Sequence, residues 1–147
     1  MTETQNQNII AINSQYIKDM SLEVPNAPEI YTKLNTQPQI SVELNIDARK
    51  IQDDNYEVIL NIHINSDINN EKLFIVELAY GAFCTIKLPE EQIEPVLFIE
   101  IPKLLYPFAR QIIASNLAES SMPPLLLAPV DFAAIYRSKK DNLVKPN

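Results

Sequence analysis

The chain has 147 residues, 46% of them apolar, and a formal net charge of −7. That length predicts one domain with a sizeable core, and the apolar share argues against intrinsic disorder. One glycine, one histidine and one cysteine leave no material for a glycine-rich phosphate loop, a multi-histidine zinc site or an internal disulfide.

The charge is unevenly placed. Residues 137–147 carry Arg137, Lys139, Lys140 and Lys145 against Asp141, whereas the first 136 residues hold 18 acids against 8 bases. An acidic body repels nucleic acid and anionic lipid and attracts basic partners. No apolar run approaches the length of a membrane span. The N-terminus, MTETQNQN, lacks a basic region followed by an apolar stretch, so a cytoplasmic protein without a signal peptide is expected.

In chain order, YIKDMSLEV (16–24) alternates as a strand, with Tyr16, Lys18, Met20, Leu22 and Val24 on one face and Ile17, Asp19, Ser21 and Glu23 on the other. PNAP (25–28) ends it. QISVELNI (39–46) and YEVILNIHI (56–64) are two more alternating strands, and SDINNEK (66–72) is a turn. LFIVELAY (73–80) is a fourth strand, apolar on both faces, which points to another subunit covering one of them. Residues 87–105 hold three prolines and predict an irregular connection. A helix is expected from Pro107, with Phe108, Ala109, Ile112, Ile113 and Leu117 as its apolar stripe. Pro123, Pro124 and Pro129 then hold Leu125–Leu127 extended, and Asp131 caps a second helix, FAAIYRSKK. Strands followed by helices, joined by short turns, predict an α+β fold with an antiparallel sheet.

No catalytic constellation emerges. His63 alternates with Asn61 and Asn65 and reads as a half-exposed strand residue; Cys84 reads as a small buried hydrophobe; Asp53-Asp54 and Glu90-Glu91 read as solvated pairs. No cofactor, metal site or enzymatic activity is expected.

The stretches YIKDMSLEVPNAP (16–28), DDNYEV (53–58), LLYPFARQIIA (104–114) and PPLLLAPVDFAAIY (123–136) resemble, in order and spacing, those of the SecB family of bacterial protein-export chaperones. The resemblance implies a four-stranded antiparallel sheet with two helices, assembled as a dimer of dimers. It implies a domain at 16–136, between a flexible segment 1–15 and a basic tail 137–147. It also implies a non-enzymatic holdase that keeps precursors unfolded and hands them to the SecA motor ATPase. By resemblance, Asp19, Glu23, Ile75 and Glu77 dock SecA; Ile40, Val42, Leu44, Phe132, Ile135 and Tyr136 line the client groove; Val76, Leu78 and Tyr80 meet another dimer. The alternative is a SecB-like chaperone serving a toxin–antitoxin pair. Two departures stand out: the tail is basic where the family's is commonly acidic or glutamine-rich, and the glycine-rich turn after the fourth strand is reduced to Gly81-Ala82-Phe83.

Overall fold

The computed structural model describes residues 7–144. Four strands form one antiparallel sheet in the order β1-β4-β3-β2: β1 (Ile9–Glu23), β2 (Gln39–Gln52), β3 (Asn55–Ile68) and β4 (Glu71–Lys87). Each strand outruns its sequence-based bounds. The turn expected over 66–72 contracts to Asn69-Asn70, both in the left-handed region (φ 50° and 64°), as a two-residue hairpin between twisted strands requires. Asp53 takes the same conformation between β2 and β3 (φ 51°).

β1 begins at Ile9, so residues 9–15 belong to the sheet and not to the flexible segment expected at 1–15; residues 1–6 lie outside the described residues. Pairing with β4 shifts between Ile12 and Ser14 and again between Ile17 and Asp19. Each bulge inserts one residue and reverses the alternation beyond it. Tyr16 therefore stands opposite Gly81, on the face of Asp19, Ser21 and Glu23, while Ile17 stands opposite Tyr80.

One face of the sheet is covered by helices. Residues 90–119 are helical almost throughout: α1 (Glu90–Pro95), a π-helical turn (Val96–Glu100) and α2 (Ile101–Glu119). In the wide turn the Ile101 N–H reaches back five residues to the Val96 carbonyl, between Pro95 and Pro102. The irregular connection expected over 87–105 is thus largely helix. The buried stripe of α2 is Ile101, Leu105, Ala109, Ile113 and Leu117, spaced four residues apart; Phe108, expected in it, is 52% exposed. Asp131 caps α3 (Phe132–Val144) as expected, its Oδ1 accepting the Ala134 N–H at 3.0 Å. The expected basic tail starts inside this helix, and residues 145–147 lie outside the described residues.

Beneath the helices, Val58, Leu60, Ile62, Ile64, Val76, Leu78 and Ile86 of β3 and β4 are almost fully buried. Burial of each such side chain contributes roughly 1.5–3 kcal/mol. Among the described residues no helix is long and apolar enough to cross a membrane.

Candidate docking face and client groove

The sheet face away from the helices is polar. Arg49 on β2, Glu57 on β3 and Tyr16 and Lys18 on β1 converge there. Glu57 accepts the Tyr16 hydroxyl at 2.6 Å, the Lys18 ammonium at 2.9 Å and the Arg49 Nε–H at 3.0 Å, and its side chain is only 8% exposed. The Tyr16 hydrogen bond, backed by those of the two cations, holds the Glu57 carboxyl down at about 2. Burial, together with the carboxylate, pushes the Tyr16 phenol upward. The ring of Tyr16 crosses β4 at Gly81. A Cβ there would stand 2.6 Å from Tyr16 Cε2 and 2.9 Å from Ile59 Cδ1, so the chain's one glycine is a crossing point. Gly81 lies inside β4, not in a turn after it; the shortened glycine turn expected there does not exist.

Farther along the same face, Glu23 pairs with Ile75, Ser21 with Glu77 and Asp19 with Ala79. The four expected docking residues thus occupy three alternate rungs of one strand pair, all on this face. His63 stands beside Glu77, its Nδ1 3.8 Å from the carboxylate and its Nε2 2.9 Å from Asn65 Nδ2. Asp19, Glu43, Asn61, His63 and Glu77 line a shallow depression of about 300 Å³. His63 is 39% exposed there, and Cys84 is buried on the other face, both as expected; burial pushes the Cys84 thiol up to about 11.

Val76, Leu78 and Tyr80 lie on the opposite face, 0%, 2% and 7% exposed beneath the chain's own helical layer. The two-sided apolarity of β4 therefore needs no second subunit on that face. Ile75 and Ala79 remain half-buried on the polar face.

The candidate groove follows β2, an outer strand whose far edge is unpaired among the described residues. Ile40 and Val42 are 43% and 46% exposed, Leu44 is half-buried and Ile46 is buried, so the strand sinks from surface to core along its length. At the open end, Ile40 and Phe74 face Pro123, Pro124 and Leu125 across a cleft of about 270 Å³. At the deep end, Leu44 and Ile46 face Phe98, Ile135 and Tyr136 across a second cleft of about 180 Å³. Phe132 does not join it: at 3% exposed it packs edge-on against Tyr106, with ring centroids 5.8 Å apart, and belongs to the core. The sequence reading missed Phe98, carried by the π-helical turn and stacked on Tyr136 at 6.0 Å. The three leucines of the proline segment have separate fates. Leu125 lines the cleft, Leu126 is 81% exposed and Leu127 is core. Hydrogen bonds from Tyr31 Oη to the Ser120 carbonyl (2.6 Å) and from Tyr106 Oη to the Ala128 carbonyl pin both ends of that segment.

The family model described as preprotein translocase subunit SecB matches residues 3–142. The chain belongs to the SecB family. Relatives named as the protein-export protein SecB include that of Bartonella quintana, 45% identical over 89% of this chain and 84% of that one. That of Rhodospirillum rubrum is 44% identical over 88% and 81%. Membership of the SecB family carries the role of a protein-export chaperone. The fold is also that of a solved Mycobacterium tuberculosis SecB-like chaperone in complex with an antitoxin peptide, at a TM-score of 0.68 and 15% identity over 82% of this chain and 90% of that one.

Proposed function

We propose that the chain is an ATP-independent cytoplasmic holdase that keeps extended apolar stretches of unfolded precursors in the groove along β2 and delivers them to SecA. The observation that carries this reading is the exposure of Ile40 and Val42, two large apolar side chains on one face of an outer strand, with Ile40 facing a wall of Pro123, Pro124 and Leu125. Prolines limit the wall's conformational freedom, so the apolar surface is presented without being ordered at each binding event. The acidic face is the proposed SecA contact: Asp19, Glu23, Ile75 and Glu77 stand on alternate rungs of one face, which suits a basic segment with one apolar residue. Assembly as a dimer of dimers is supported by the outer edge of β1, unpaired among the described residues, and by the exposed Leu104 and Phe108 on α2. The names of the curated relatives favour export over a toxin–antitoxin client.

The test is the refolding of a chemically unfolded secretory precursor, without nucleotide, in the presence of the chain or its Val42→Ala/Leu44→Ala variant. The wild-type chain is expected to slow refolding. The variant should release the client faster while its melting temperature falls only modestly, because Val42 is half-exposed and the partly buried Leu44 contributes less than the ~2–5 kcal/mol of a fully buried leucine. A large fall in melting temperature with unchanged client release would identify these residues as core.

A further inference from the structure

The acidic face is arranged around the chain's single histidine. His63 on β3 stands opposite Glu43 of β2 and Glu77 of β4, and Glu77 in turn stands opposite Ser21 of β1. Asp19 of β1 lines the same depression, and Glu23 lies farther along β1, opposite Ile75. Lys72 of β4 brings a cation to the group. Its ammonium is 3.0 Å from Asp67 Oδ1 and donates to Asn65 Oδ1 at 3.2 Å. That second bond fixes which way the Asn65 amide points, with Nδ2 turned to His63 Nε2 at 2.9 Å. An amide nitrogen only donates, so Nε2 accepts and carries no hydrogen. The neutral ring then bears its hydrogen on Nδ1, the atom 3.8 Å from the Glu77 carboxylate. Lys72 thus orients Asn65, Asn65 orients His63, and His63 turns an N–H towards Glu77.

We propose that His63 is a positioning residue of the docking face: neutral, it steadies Glu77 for a basic partner; protonated, it occupies that carboxylate itself, so docking weakens as pH falls from 8 to 5.5. The inference rests on the acidic face being the docking site. Imidazole is the side chain that ordinarily gains a proton between about pH 8 and 5, whereas arginine and lysine stay charged and carboxylates stay largely ionised above about pH 5.5. Protonation has two effects here. It puts a positive charge beside Glu77, where the partner's cation would bind, so one attraction is lost and a like charge is met. It also puts a hydrogen on Nε2 that faces the donor Nδ2 of Asn65. Two donors cannot bond, and turning the amide would point its donors at Lys72 instead.

With a single histidine, the ring can be followed directly. Nitrogen NMR of the full chain at pH 8 should place the His63 hydrogen on Nδ1, and Asn65→Ala should scramble it between the two nitrogens. A hydrogen on Nε2 in the wild-type chain overturns the inference. Binding is measured by fluorescence anisotropy at low salt with a labelled, end-capped peptide of arginines around one leucine, whose charge is constant from pH 8 to 5.5. The wild-type chain is expected to lose about fivefold in affinity over that range, the upper range of an exposed ion pair, in step with the histidine titration seen by NMR. His63→Gln should flatten the profile, and His63→Lys should bind weakly at every pH. A flat wild-type profile, or an unaltered fall in His63→Gln, overturns the role of His63; if Glu77→Lys still abolishes binding in that case, the docking face stands. Peptide binding that Glu77→Lys leaves unchanged removes the docking reading and the inference with it, as does failure of the peptide to bind at pH 8.

Discussion

Glu57 accepts hydrogen bonds from three side chains, and its removal has a calculable consequence. Its carboxyl falls from an ordinary 4.5 to about 2 in the folded chain. At ~1.4 kcal/mol per tenfold change in proton affinity, the difference corresponds to about 3 kcal/mol of stability. The sign follows from the direction of the fall. The folded chain holds the proton less tightly than the unfolded chain, so this stability is complete above about pH 4.5 and is lost as pH drops towards 2. Glu57→Gln keeps the shape and an acceptor for Tyr16, but turns an amide donor towards Lys18 and Arg49. Urea unfolding at fixed chain concentration should show the variant about 2–3 kcal/mol less stable at pH 7, with the gap shrinking as pH is lowered from 4.5 to 3. Other carboxylates titrate in both proteins and cancel in the difference. A gap under ~0.5 kcal/mol at pH 7, the usual range for a surface substitution, would refute the account. A gap that does not change with pH would refute it as well.

Two further outcomes follow from the surfaces. Glu77→Lys should weaken SecA binding far more than Glu91→Lys, which lies outside the acidic strand pair, and the wild-type contact should weaken with salt as charges become screened beyond ~8 Å; equal effects in a titration would mean that general acidity, not a site, is responsible. Phe108→Glu should lower the mass seen by light scattering, because a charge would be placed in an interface assigned to an exposed aromatic; unchanged mass would move the interface elsewhere.

Four strands and two helices were readable because Ile40–Ile46 and Tyr56–Ile64 alternate cleanly and Asp131 is an efficient cap. The shared face of Asp19 and Glu23 was readable as well, from strand periodicity, whereas the docking role proposed for them came from the resemblance to the SecB family. Other features depended on contacts distant in sequence. The bulges of β1 leave no local trace in QNIIAINSQYIKD, yet they decide that Tyr16 joins Glu57 and that Ile17 does not. Glu57 alternates like any exposed strand residue; only the pairing of all four strands brings Tyr16, Lys18 and Arg49 to it. Prolines at 89, 95 and 102 argued against a helix over 87–105, where a π-helical turn carries it through. Phe132 and Tyr136 occupy one helix face one turn apart, and spacing could not distinguish core from groove.

Site-specific photocrosslinking along β2 tests the central claim most directly, because one strand supplies both the probe and its control. Val42 faces the groove and Asp47 the opposite side of the sheet, and both are exposed. A photoreactive phenylalanine at position 42 should capture an unfolded precursor efficiently and be competed by a leucine-rich peptide, whereas the same probe at position 47 should capture little. Equal capture at both positions, or capture at 47 alone, would contradict a client groove between β2 and the helical layer.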